Sequence, residues 1–142
     1  MAITNIAKRD LLYQDESCRV YWDSDVQCIE FDAIRFVSSS ALRATLERTL
    51  GCIKDKRARK FLIGIDKMDN APMEDLMWAE TDWFPRCLRA GIRYVAMVMP
   101  KSLSAFVSVD KATSRIKPDA SGFVRWFFPD IEAGRQWLKE QK

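Results

Sequence analysis

The chain has 142 residues, 48% apolar and 30% charged, enough for one globular domain (residues 1–142) that buries roughly two-thirds of its unfolded surface. Its 23 basic and 20 acidic residues leave a net charge of +3, too balanced for the concentrated basic face of a nucleic-acid binder. Histidine is absent, which removes Ser-His-Asp and Cys-His nucleophile pairs, His-ligated zinc and the commonest general base.

The opening Met1-Ala2-Ile3-Thr4-Asn5-Ile6-Ala7-Lys8-Arg9-Asp10 lacks the long apolar core of a secretory signal. No apolar run approaches the roughly 20 residues that span a bilayer, so a cytoplasmic protein is expected. Residues 11–14 predict a first short strand. Residues 18–22 and 26–31 carry alternating β-branched and aromatic residues around Asp23-Ser24-Asp25, the pattern of a hairpin. Val20 and Trp22 would share one face of it, as would Ile29 and Phe31. A register centred on that turn does not set Cys18 opposite Cys28. The cysteines, Cys18, Cys28, Cys52 and Cys87, include no C-x-x-C pair, and reduced, mostly buried thiols are expected.

Ser38-Ser39-Ser40 offers N-caps for a helix whose Leu42, Leu46, Leu50 and Ile53 recur at helical spacing. The helix ends in the basic run of residues 54–60, which suits cations at a helix C-terminus and a solvated face. The run contains no aromatic residue to support nucleic-acid binding. Phe61-Leu62-Ile63-Gly64-Ile65 is a short apolar run ending at Asp66. Asn70-Ala71-Pro72 opens a helix that Ala90-Gly91 closes, and residues 94–99 form a second apolar run stopped by Pro100. Two such strands joined by a helix must lie parallel and be buried on both faces. Ligands of open α/β sheets sit at strand carboxyl ends, here near Asp66 and Pro100. Ser102 caps a predicted helix containing Leu103, Phe106 and Val107. Residues 123–128 predict a strand, and Pro129-Asp130 begins a final helix with Ile131, Trp137 and Leu138 on one face. The expected fold is α/β: a single mixed β-sheet with an N-terminal antiparallel hairpin followed by β-α-β crossovers.

The helix opened by Pro72 carries the densest chemistry. Met73, Leu76, Met77, Glu80, Trp83, Phe84, Cys87 and Leu88 follow roughly 3.6-residue spacing and predict a core face, with Trp78 off that stripe. Pro85 should kink or split the helix. Core packing accounts for the aromatics; the functional reading is a patch of Trp78, Trp83, Phe84 and Arg86 for a partner or a second copy. Asp66 and Asp69 make the minimum carboxylate pair for acid–base work or Mg²⁺, although Asp69 or Asn70 equally supplies the helix cap. Ser102 after Lys101 would hold an anion at a helix N-terminus, and capping explains it as well. No Gly-x-Gly-x-x-Gly or Walker-type loop is present.

The hairpin with Trp22, the strand Leu62-Ile63-Gly64-Ile65-Asp66, the segment Trp78-Ala79-Glu80-Thr81-Asp82-Trp83-Phe84-Pro85 and the ending Phe128-Pro129-Asp130-Ile131-Glu132-Ala133-Gly134-Arg135-Gln136-Trp137-Leu138 resemble the SpoIIAA-like proteins of the STAS/SEC14 group. The resemblance covers residues 13–138 and implies a SpoIIAA-like fold. Anti-sigma-factor antagonists of that superfamily place a phosphorylatable Ser or Thr after the strand matching residues 61–66. Here the loop Asp66-Lys67-Met68-Asp69-Asn70-Ala71-Pro72 has no hydroxyl, so the phosphoswitch is not carried over. The lipid binding of SEC14-type relatives would need an apolar cavity, which this chain can hold only as a small pocket.

The leading expectation is a non-enzymatic regulatory or protein-binding module, a homodimer with its partner surface on the helix of residues 72–89. No catalytic residue, cofactor, metal or nucleic-acid partner is expected. The alternative is a small-ligand or lipid-binding protein with a pocket at the strand carboxyl ends, near Asp66, Asp69, Met99 and Ser102. An enzyme using Asp66 and Asp69 ranks last.

Overall fold

In the computed structural model, which describes residues 8–68, 71–99 and 123–141, six strands form one mixed sheet in chain order. Strands β1 (Arg9–Gln14), β2 (Cys18–Asp23) and β3 (Cys28–Ala33) are an antiparallel meander. Strands β4 (Lys60–Gly64), β5 (Tyr94–Val98) and β6 (Val124–Phe127) add to β3 in parallel. Helix α1 (Ser39–Lys56) joins β3 to β4, and α3 (Ile131–Glu140) follows β6. Helix α2, between β4 and β5, is continuous through an α-helical Met73–Trp78, a π-helical Ala79–Trp83 and an α-helical Phe84–Arg89. Successive right-handed crossovers in one direction put α1 and α2 on the same face. Helix α3 covers β4 and β5 from the other. The α/β class, the mixed sheet and the N-terminal hairpin agree with the sequence pattern.

Local chemistry sets the boundaries. Ser38 caps α1 by accepting from the Ala41 N–H, and Leu42, Leu46, Leu50 and Ile53 are buried as their spacing predicts. Arg57 ends α1 in the left-handed region at φ 51°. In the hairpin, Cys18 faces Ala33 and Cys28 faces Asp23, so the two cysteines are not paired. The strand expected from Val26 begins instead at Cys28. Asp23 Oδ1 accepts from the N–H groups of Asp25 and Val26 at 3.0 and 3.1 Å, which curls that segment into the turn. Helix α2 begins at Met73, with Pro72 in the cap position and no side-chain cap bond. The expected cap residues Asp69 and Asn70, and the helix expected after Ser102, lie outside the described residues.

One half-buried carboxylate ties the meander to α1. Asp15 accepts from Tyr13 Oη at 2.6 Å, from Ser17 N and Oγ at 2.8 Å each, from Cys18 N at 3.0 Å and from Thr45 Oγ1 at 2.8 Å. Burial pushes this carboxyl up, but donors from Tyr13, Ser17 and Thr45 outweigh it and hold it well below the usual carboxylate range. Because the folded value is depressed, the stabilisation is present above the unfolded carboxyl value of about 3.9 and is lost as pH falls below it. Asp15→Asn should therefore be less stable than wild type in urea unfolding at pH 7, and the difference should narrow on acidification. A difference that stays constant into acid would assign the loss to packing rather than to the charge.

All four thiols are free, and Cys18, Cys28 and Cys87 are buried. Burial pushes Cys18 and Cys87 up to about 12 and raises Cys28 as well. Only half-buried Cys52 should alkylate quickly in native protein, with all four labelled after unfolding. Native labelling of Cys28 as fast as Cys52 would contradict this packing. Among the described residues, no helix is long and apolar enough to cross a membrane.

Candidate functional site

Pro85 does not break α2. It has no N–H, and its ring would clash with the carbonyl four residues back in a regular α-helix. The preceding turn widens instead: the Phe84 N–H reaches the Ala79 carbonyl, an i→i−5 bond. Trp83, Phe84 and Cys87 are buried. Trp83 Nε1 donates to the Leu46 carbonyl of α1 at 2.7 Å, and its ring meets Phe61 edge-on with centroids 5.8 Å apart. N-terminal to the widened turn the expected core stripe fails. Met73 is 63% and Met77 53% exposed, and Glu80 is at the surface, while Asp75 is buried.

This arrangement leaves a cavity of about 280 Å³ between the sheet and the helix layer, at the carboxyl ends of the parallel strands. The sheet contributes Phe31, Ile63 and Met97, α1 contributes Leu42 and Leu46, and α2 contributes Trp83 and Phe84. Met68, Met73, Met77 and Met99 also line it. All five methionines among the described residues line this single space. Unbranched, polarisable methionine adapts its shape to what it touches, which is why it recurs on surfaces that accept varied apolar groups.

Among the described residues, three charged side chains reach the cavity wall: Asp75, Glu80 and Arg125. Asp75 is 1% exposed and fully engaged. It accepts from Ser39 Oγ at 2.5 Å and from Arg43 Nε at 3.3 Å, and the Arg43 guanidinium lies 4.7 Å from the Trp78 ring centroid. Arg125 of β6 donates from Nη1 and Nη2 to the two Glu80 oxygens at 2.9 and 2.8 Å. Its side chain is 6% exposed against 45% for Glu80. The guanidinium packs over Phe84 and Phe127, and Arg125 Nε has no acceptor among the described residues.

Of the residues singled out from the sequence, Met99 lines the cavity. Asp66 is exposed in the turn after β4 and outside the lining, whereas Asp69 and Ser102 lie outside the described residues. Trp78, Trp83, Phe84 and Arg86 do not form one exposed patch. Trp83 and Phe84 are core, Trp78 is half-buried beside Arg43, and Arg86 is held by both Glu47 oxygens at 2.7 and 2.6 Å. The basic run gains aromatic neighbours only through folding: Trp22 and Tyr94 line a groove of about 490 Å³ with Lys56, Arg57, Arg59 and Lys60, at the other end of the sheet. Sequence reasoning missed Asp75, Glu80 and Arg125. The available signal was Arg125 sharing the alternate positions of a strand with Phe123 and Phe127.

No protein-family model, curated protein or solved structure matches this chain.

Asp75→Ala removes the acceptor shared by Ser39 and Arg43, and should cost about 1–3 kcal/mol in urea unfolding. A change under about 0.5 kcal/mol, the range of a surface substitution, would show that this carboxylate does not hold α2 to α1.

Proposed function

We propose that this chain is a non-enzymatic binding module, SpoIIAA-like in type, whose ligand is a small apolar molecule held in the methionine-lined cavity. The observation that carries the reading is the convergence of Met68, Met73, Met77, Met97 and Met99, distant in sequence, on one space of about 280 Å³. Mostly apolar linings with a few placed polar groups are the usual make-up of small-molecule pockets, and this volume sits near their lower limit of roughly 300 Å³. Asp75 and Arg125 are both held in ion pairs, which suits holding a ligand better than proton transfer. Of the two binding expectations, the cavity favours the small ligand over the protein partner, since Trp83 and Phe84 serve the core. Self-association is the second reading. The exposure of Met73 and Met77 at the cavity mouth supports it, and a sedimenting dimer dissociated by Met77→Glu would favour it.

The methionines supply the test. In protein labelled at the methionine methyls, titration with octan-1-ol should shift the resonances of Met68, Met73, Met77, Met97 and Met99 in a saturable way. Native mass spectrometry of protein from its own host should retain a small apolar ligand. Methyl resonances unmoved by octan-1-ol, with no retained ligand, would sink the reading.

A further inference from the structure

We propose that the cavity selects a small apolar carboxylic acid, whose carboxylate takes the place of Glu80 on Arg125. The inference rests on the cavity being the binding site and adds the chemistry of the head group.

Arg125 cannot stand alone. A guanidinium 6% exposed among Phe84 and Phe127 must keep an anionic partner, because an unpaired buried charge is strongly destabilising. Glu80 is under no such constraint. Its side chain is 45% exposed and can turn out to water, where ion pairs with exposed partners are worth little. The pair is therefore asymmetric: the cation is built into the wall and the anion is exchangeable. The guanidinium fork matches a planar group with two oxygens, as the two bonds of 2.9 and 2.8 Å to Glu80 show. A ligand carboxylate can reproduce that geometry while its apolar body fills the space lined by Ile63, Met97 and Trp83.

A cationic ligand fits poorly. Both Asp75 oxygens already accept, from Ser39 and from Arg43, so the other buried carboxylate has no open demand for a cation. The size of the space limits the body to a short chain or a single ring. Glu80 also sits on the π-helical segment of α2, a distortion often found at functional sites.

The test compares octanoate with octan-1-ol by methionine-methyl titration at pH 7, in wild type, Arg125→Met and Glu80→Gln. Octanoate should bind wild type at least about tenfold more tightly than octan-1-ol, the value of a hydrogen bond to a charged group. Arg125→Met should abolish that ratio. Glu80→Gln, which removes the competing anion, should strengthen octanoate and leave octan-1-ol unchanged. Equal affinities in wild type, with the same methyls shifted, would overturn the head-group assignment and leave the cavity reading intact. If neither probe moves the methyls, both fall. Should Arg125→Met fail to fold, Glu80→Gln decides: unchanged octanoate affinity there overturns the exchange.

Discussion

The bond from the Trp83 indole N–H to the Leu46 carbonyl fixes where α2 lies, and the cavity follows from it. A buried indole N–H without a partner costs stability, so Trp83 must face α1 at that level. Pro85, two residues on, requires a widened turn just before it. One extra residue in a turn rotates everything N-terminal by about 100° relative to a regular helix. The inward set therefore slips by one position: Asp75, Leu76 and Ala79 turn toward α1 and the sheet, and Met73, Met77 and Glu80 turn outward. Met73 and Met77 are left at the mouth of the cavity, lining its edge while half or more exposed. An uninterrupted α-helix would carry Asp75 away from Ser39 and Arg43. The opening and its charged wall thus share one cause.

Asp75 and Arg125 do different work in that wall. Asp75 joins α2 to the start of α1 through Ser39 and Arg43, and Arg43 also stacks on Trp78. Every participant has a partner, so the group acts as a structural clasp. Among the described residues Arg125 has one counter-ion, more exposed than itself, and an Nε without an acceptor. Replacing such a pair with apolar side chains of similar volume is often neutral or stabilising, so stability alone is weak grounds for its presence. What the pair adds is a guanidinium fixed in a mostly apolar lining.

The legible parts of the fold were those set by short-range periodicity. The α1 stripe, the hairpin and the two apolar strands read directly, because each has its own period and its own punctuation. The hairpin turn runs two residues further than alternation predicts because Asp23 bonds the backbone ahead of it, an option its side chain has and alternation does not reveal. The α2 stripe failed upstream of Pro85 because a single-period template has no place for an inserted residue. Met99 was placed near the right end of the sheet, but its four methionine companions come from β5, α2 and the segment after β4, and only the fold brings them together. Arg125 was invisible for the same reason: its meaning depends on Glu80, 45 residues away in the chain.

The location of the cavity also departs from the usual geometry of open α/β sheets. Those sheets bind ligands in a crevice where the strand order reverses and neighbouring crossovers leave opposite faces. Here the parallel strands run β3-β4-β5-β6 without reversal, so α1 and α2 stay together on one face and no crevice opens between diverging helices. A site at the carboxyl ends must then come from imperfect closure of the helix layer on the sheet. The widened turn of α2 provides that, burying Trp83 and Phe84 while Met73 and Met77 upstream of it lie exposed at the cavity mouth. An arrangement of this kind limits the size of the site, since enlarging it would release the Asp75 clasp, and it ties ligand access to the part of α2 that carries Met73 and Met77.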